Sequence, residues 1–319
     1  VNVNKIPTIE DVRSAADRIR PFIHRTPVLT SRAINDMFSA ELFFKCENLQ
    51  KVGAFKARGA CNAVYMLSAT EAQYGVVTHS SGNHAQALAY AARLRAIPCT
   101  VIMPWNTPSV KQSAVADYGA EIIRCEPTME SRVTTMNVFI EQSGAHPVPP
   151  FDDARVIAGQ GTAALEMCED LPDLDMIMAP VGGGGLLSGT AIVGRALIPT
   201  AEIIGAEPAE ADDAMRSLIA GVRQPPPITT TIADGLRTAL GELPFDILRA
   251  TDVRIVTASE DSIVEAAYRM MERLKIVIEP SASVTVGAML DNPKLVIGKR
   301  VGIIVCGGNL DVRSTVSFR

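Results

Sequence analysis

Glu41-Leu42-Phe43-Phe44-Lys45-Cys46 reads as a short apolar strand, and Gly53-Ala54-Phe55-Lys56-Ala57-Arg58-Gly59 shortly after it opens a helix on a lysine set among small residues. The same order, apolar run then turn then helix, recurs to the end of the chain. Strands are expected at 41–46, 75–79, 99–103, 120–125, 175–180, 202–206, 253–257 and 301–305. Helices are expected at 8–20, 56–67, 83–95, 109–118, 130–142, 160–169, 186–197, 211–220 and 260–274. Strand–helix alternation of this kind implies an α/β fold with a mainly parallel sheet covered on both faces. Ligands of such sheets bind at the carboxyl ends of strands, and the polar or glycine-rich turns at 80–84, 182–185 and 306–309 fall there. Pro147-Val148-Pro149-Pro150 is expected to mark the return from an inserted smaller domain, and Pro225-Pro226-Pro227 a surface connection.

The 319 residues suffice for one large or two modest domains, and 47% hydrophobic with 20% charged residues is an ordinary globular balance. A net charge of −5 with scattered Lys and Arg offers nucleic acid no basic field. The six cysteines form no Cys-x-x-Cys pair and no zinc-type spacing with the four histidines, so reduced, mostly buried thiols are expected. No apolar stretch approaches the ~18 residues of a membrane span, and no charged segment followed by an apolar run opens the chain. The expectation is a cytoplasmic protein.

Lys56 stands at a helix start, where the macrodipole disfavours an ammonium ion, and Gly53, Ala54, Ala57 and Gly59 leave room for a bulky ring. Far along the chain, Val181-Gly182-Gly183-Gly184-Gly185-Leu186 joins a buried strand to a helix, and successive glycines there can aim backbone N–H groups at one anion. A reactive amine and an anion cradle are the two needs of an aldehyde cofactor that carries a phosphate. The pair points to pyridoxal phosphate, with Lys56 as the Schiff-base amine. A dinucleotide fold would space its glycines as Gly-x-Gly-x-x-Gly, and no Walker Gly-Lys-Ser/Thr is present. Ser80-Ser81-Gly82-Asn83-His84 fits either an ordinary helix cap or a carboxylate receptor. Cys306 ends a strand and suits a buried structural thiol or a partner for a ring nitrogen. Glu207, Asp212 and Asp213 read first as a solvated acidic loop and second as oxygen ligands for Mg²⁺ or Ca²⁺.

Taken together, these residues resemble the fold-type II, tryptophan-synthase-β-like enzymes of pyridoxal phosphate, nearest to serine racemase, serine/threonine dehydratase and 3-hydroxyaspartate dehydratase. The resemblance runs from His24-Arg25-Thr26-Pro27-Val28 through Lys45 to Gln50, Ala158-Gly159-Gln160-Gly161-Thr162 and Ile232-Ala233-Asp234-Gly235 to Cys306-Gly307-Gly308-Asn309. It implies two open, twisted, mainly parallel sheets covered by helices. It implies that Lys56 bears the cofactor and moves the α-proton, and that Phe55 and Gly235 sandwich the ring. Asn83 would bond the ring hydroxyl, Gly182, Gly183, Gly184, Gly185 and Leu186 the phosphate, and Cys306 would face the ring nitrogen, where serine is commoner. Ser80, Ser81, Asn83 and His84 would receive the substrate carboxylate, with Ser81 as the second-face acid and base. Glu207, the Ala211 carbonyl and Asp213 would hold Mg²⁺, Ca²⁺ or Mn²⁺. A homodimer is expected.

The expected reaction is loss of water, then ammonia, from a small β-hydroxy amino acid. A neutral group beside the ring nitrogen makes a moderate electron sink, which suits β-elimination. Arg132 reads either as a surface arginine at a helix start or, as the resemblance to serine racemase implies, as a residue able to reach a second carboxylate, which ranks 3-hydroxyaspartate ahead of serine and threonine. The expected domains are 1–74 with 151–319, and a mobile 75–150. Racemisation on the same scaffold, a non-catalytic amino-acid sensor and a nicotinamide oxidoreductase are the competing readings.

Overall fold

The structure is a computed structural model that describes residues 5–312. Its ten strands are β1 (Val28–Leu29), β2 (Glu41–Cys46), β3 (Val76–Thr78), β4 (Cys99–Pro104), β5 (Glu121–Cys125), β6 (His146–Pro147), β7 (Met176–Pro180), β8 (Glu202–Pro208), β9 (Arg254–Ala258) and β10 (Arg300–Val305). They form two sheets. The larger has the order β1-β2-β10-β7-β8-β9 and the smaller β5-β4-β3-β6. Every pairing is parallel except β1 with β2, so both sheets need helices on their faces.

The covering helices are α1 (Ile9–Ile19), α2 (Arg32–Phe38), α3 (Lys56–Met66), α4 (Ala69–Ala72), α5 (Asn83–Arg95), α6 (Ser109–Ala116), α7 (Met129–Ser143), α8 (Ala154–Asp170), α9 (Gly185–Leu197), α10 (Asp213–Ala220), α11 (Glu242–Ala250), α12 (Glu260–Leu274) and α13 (Pro280–Asp291). One core packs on the larger sheet around Met176, Ile177, Ile203 and Ile303. Another joins α3 and α5 to the smaller sheet around Ala60, Leu88, Val101 and Met103. Among the described residues all six cysteines are unpaired and buried, and no helix is long and apolar enough to cross a membrane.

The expected strands all form, within one or two residues of the ends read from the sequence. The expected helix at 160–169 begins instead at Ala154, because the Asp153 carboxylate caps it by accepting from the N–H groups of Arg155 and Val156. Nearly all of α8 is buried between α3 and α9. A Cβ on Gly159 would come within 2.6 Å of the Gly59 Cα, so glycine lets the two backbones approach closely.

One ion network ties α3 to this frame. Arg58 is fully buried, and its Nε and Nη2 donate to Glu47 at 2.7 and 2.8 Å. Its Nη1 and Nη2 donate to Glu166 of α8 at 2.8 and 2.9 Å. Lys45 from β2 completes it, donating to Glu166 at 2.6 Å and to the Thr26 carbonyl at 2.8 Å. Two cations thus meet two carboxylates, and almost every donor has an acceptor, the condition under which buried charge is tolerable.

Candidate active site

Lys56 is the first residue of α3, two residues beyond Ala54, which bridges to Gly307 past the end of β10. The approach is tight. Val52 has φ +54°, an uncommon value for a β-branched residue, and the Phe55 N–H donates to the Cys306 carbonyl at 3.0 Å. These contacts put the lysine beside the carboxyl end of β10. Its Nζ donates to the Pro150 carbonyl at 2.7 Å and lies 5.0 Å from the centre of the Phe55 ring. Burial lowers the amine pKa to about 8, against the opposing pull of Cys306 and Glu279.

The Gly182–Gly185 loop follows β7 and feeds α9. Its N–H groups, with that of Leu186, donate to no acceptor among the described residues, yet all but Gly182 belong to buried residues. Buried donors of this kind at a helix start form an anion cradle. A Cβ on Gly183 would collide with the Phe151 ring, and Gly184 has φ +89°. Phe151 follows the carbonyl that accepts from Lys56, so amine and cradle adjoin. The residues present therefore fit a phosphate-bearing aldehyde.

Ser80 to Asn83 form the turn between β3 and α5. Ser81 is half-buried. Asn83 donates from Nδ2 to both Glu279 oxygens at 3.1 and 3.0 Å, and its Oδ1 accepts from Asn309 Nδ2 at 2.8 Å. His84 is buried with Nε2 2.9 Å from the Val148 carbonyl, and burial together with Lys56 drives its pKa to about 3. The ring is neutral, its one proton is given to Val148, and Nδ1 is bare. The imidazole therefore has no second N–H to offer, and the donor His84 presents at the start of α5 is its backbone N–H.

Cys306 is buried at the end of β10, and burial raises its thiol pKa well above the ordinary value. The neighbouring Glu279 went unseen in the sequence reading. Its signal was a carboxylate set between Ile278 and Pro280, where an apolar run turns into a helix. The Gly235 N–H donates to Ser281 Oγ at 3.1 Å, which holds the 233–236 turn against the start of α13. Arg132 lies in the first turn of α7, where it adds to the burial that lowers the pKa of the nearby His79, and its buried Nε has no partner.

Glu207 lies at the carboxyl end of β8, and Asp213 begins α10 after the following turn. Both are buried, Glu207 with its pKa raised to about 8 by burial and Asp213 raised for the same reason. Neither has a cationic side chain as partner, since Arg216 is taken by Asp212 at 2.7 Å. Ala211, also buried, ends the turn between them. No group of three or more His, Cys, Asp or Glu gathers at a metal-sized site among the described residues, so any cation here rests on two carboxylates and carbonyl oxygen. The chemistry of this donor set fits a hard divalent ion. It adjoins the cradle, because Leu240 N–H donates to Asp213 and Gly241 N–H to the Gly183 carbonyl.

A family model described as pyridoxal-phosphate dependent enzyme matches residues 19–307. The chain is 48% identical over 314 residues to a serine racemase of Dictyostelium discoideum, covering 96% of each. It is also 48% identical over 307 residues to a beta-hydroxyaspartate dehydratase of Paracoccus denitrificans (strain Pd 1222), covering 96% of this chain and 98% of that one. The crystal structure of the Dictyostelium serine racemase superposes with a TM-score of 0.92, over 96% of this chain and 99% of that one.

Proposed function

Since the chain belongs to the pyridoxal-phosphate dependent enzymes, we propose that it is an ammonia-lyase that removes water from 3-hydroxyaspartate, and less well from serine or threonine, to give a 2-oxo acid and ammonia. Relatives of both kinds stand at equal identity, so the observation that carries this reading is Arg132. A half-buried guanidinium with an unpartnered Nε, next to the residue that precedes Ser80, suits the distal carboxylate of a dicarboxylic substrate.

Bound pyridoxal phosphate supplies an aldehyde for the substrate amine and an electron sink for charge at Cα. The chain supplies the rest. The N–H groups of Gly182 to Leu186 hold the phosphate, Phe55 and Gly235 flank the ring and Asn83 bonds its hydroxyl. The turn at Ser80, Ser81, Asn83 and the His84 backbone binds the α-carboxylate. Lys56, with a pKa near the operating pH, takes the α-proton. The Cys306 thiol stays protonated and so imposes no charge on the ring nitrogen. Residues 75–150, which contain the smaller sheet, close over the substrate as a small domain against 1–74 and 151–319. The working form is a homodimer, as the family resemblance implies, and its setting is the cytoplasm, as the unpaired cysteines suggest. Racemisation is the second reading: the family resemblance makes the half-buried Ser81 hydroxyl an acid and base on the face opposite Lys56.

The test is a panel of serine, threonine and 3-hydroxyaspartate stereoisomers, scored for 2-oxo acid, ammonia and inverted amino acid. One 3-hydroxyaspartate isomer is expected to have the highest kcat/KM. Arg132→Ala should lower that value by tenfold or more relative to serine, the worth of a charge-assisted contact of about 2 kcal/mol. Higher efficiency on serine or threonine than on every hydroxyaspartate isomer would overturn the substrate and leave the cofactor standing.

Glu207, the Ala211 carbonyl and Asp213 would hold Mg²⁺, Ca²⁺ or Mn²⁺. A cation bound only by the native state stabilises it by mass action and relieves two desolvated carboxylates. Chelator should therefore lower the Tm, and added Mg²⁺ or Ca²⁺ should restore it. An unchanged Tm in protein whose metal analysis finds no cation would remove the assignment.

A further inference from the structure

Glu279 is a buried carboxylate at the centre of the candidate site, and the roles assigned above leave it without one. Four side chains form a relay of fixed sense through it. Asn309 Nδ2 donates both to the Val52 carbonyl and to Asn83 Oδ1, each at 2.8 Å. With its oxygen so engaged, Asn83 turns its nitrogen to Glu279. The Cys306 thiol donates to the same carboxylate at 3.8 Å. Gly307 is required by this arrangement, since a Cβ there would fall 2.7 Å from Glu279 Oε1. The Cys306-Gly307-Gly308-Asn309 motif is thus built around Glu279 as much as around a cofactor.

We propose that Glu279 is the positioning residue of the cofactor-ring site, locking the Asn83 amide with its nitrogen as donor and orienting the Cys306 thiol. The proposal rests on the pyridoxal phosphate reading above. An amide rotated by half a turn would set Asn83 Nδ2 against Asn309 Nδ2, two donors with no acceptor between them, and its Oδ1 against the ionised form of Glu279. Only one orientation survives, and where the two carboxylate oxygens share one amide hydrogen the other is left for a ring hydroxyl. The thiol, given to Glu279, presents sulfur lone pairs to whatever faces it. The titratable groups around Glu279 are Cys306, Lys56 from α3 and, further off, the Lys111–Asp234 pair that joins α6 to the 234–236 turn. Burial raises the carboxyl pKa to about 7, and its negative charge in turn favours the protonated amine of Lys56.

The experiment uses holoenzyme of the wild type, Glu279→Gln, Glu279→Asp, Asn83→Ala and the Glu279→Gln/Asn83→Ala double variant. Two readouts are taken, the pH titration of the lysine-bound cofactor's visible absorption and the dissociation constant for pyridoxal phosphate. Glu279→Gln should lower the titration midpoint by about one pH unit, because a neighbouring negative charge is lost, and weaken cofactor binding roughly tenfold. The affinity loss should largely vanish in the Asn83→Ala background, and Glu279→Asp should restore the midpoint. A wild-type midpoint and affinity in Glu279→Gln would overturn the proposal, as would a loss fully additive with Asn83→Ala. If Glu279→Gln fails to fold, Glu279→Asp decides. Its midpoint should match the wild type while its affinity falls, since the charge remains and the reach to Asn83 shortens, and wild-type affinity there overturns the proposal. Wild-type protein with no lysine-bound absorption at all would refute the cofactor reading itself, a result distinct from either.

Discussion

Lys56→Ala protein is expected to lose at least about a thousandfold in turnover, together with the visible absorption of the lysine-bound cofactor. Two functions sit on one nitrogen: it is the covalent anchor and the base that takes the α-proton, and a positioned base alone contributes about 10²–10⁴. No neighbour can replace it. Burial holds the His84 imidazole at a pKa of about 3, too weak a base for the α-proton, and the nearby Glu279 carboxylate is taken up by Asn83 and Cys306. The fold should survive, because the amine makes one hydrogen bond, to Pro150, and the helix it begins is held by other residues. Circular dichroism unchanged from wild type, with no absorption band and no borohydride-trapped adduct, is the expected result. Near-normal activity would show that another residue carries the cofactor.

Arg58→Ala should have the largest effect on stability. It strips four charge-assisted bonds from Glu47 and Glu166 and leaves Lys45 alone against one buried and one partly buried carboxylate. Breaking a buried ion pair by removing one partner costs about 3–5 kcal/mol, mostly because the other charge remains desolvated. Arg58→Lys should recover little of this. An ammonium has three donors on a point, whereas the guanidinium spans two carboxylates with a planar fork. Denaturant titration of the holoenzyme measures it, and a loss under about 1 kcal/mol would mean that water or Lys45 compensates. Since Arg58 lies two residues past Lys56, cofactor affinity should fall along with stability.

The strands were legible because each centres on a short apolar run, as burial on both faces of a parallel sheet demands, with charges such as Glu41, Glu121, Glu202 and Arg254 at the strand starts. The two-residue strands β1 and β6 carry no such pattern. α13 escaped notice for the opposite reason: it is buried nearly all round, from Ser281 to Met289, so it shows no amphipathic period, and it starts on a proline. α11 was hidden by Pro244 in its first turn. In the candidate site, Lys56 and the four glycines could be singled out because each stands at the start of a helix in a short stretch of small residues, a signal that is local in sequence. Glu279 could not, since its meaning comes from Asn83, 196 positions away in the chain. The acidic loop misled in a similar way: Asp212 is the partly solvated member, paired to Arg216, while Glu207 and Asp213 are withdrawn from water by packing that the sequence does not display.

The place of β10 has a consequence for biosynthesis. It is the last described strand along the chain, yet it lies between β2 and β7 inside the larger sheet. While the protein is being made, β2 and β7 must each wait with a bare edge, and bare edges invite pairing with other chains. The residues after β10, Cys306 to Asn309, close the ring site in the same event that closes the sheet. A nascent chain therefore has no finished active site until β10 slots home, and a polypeptide that stops before Arg300 should emerge as an aggregation-prone fragment rather than a weak enzyme.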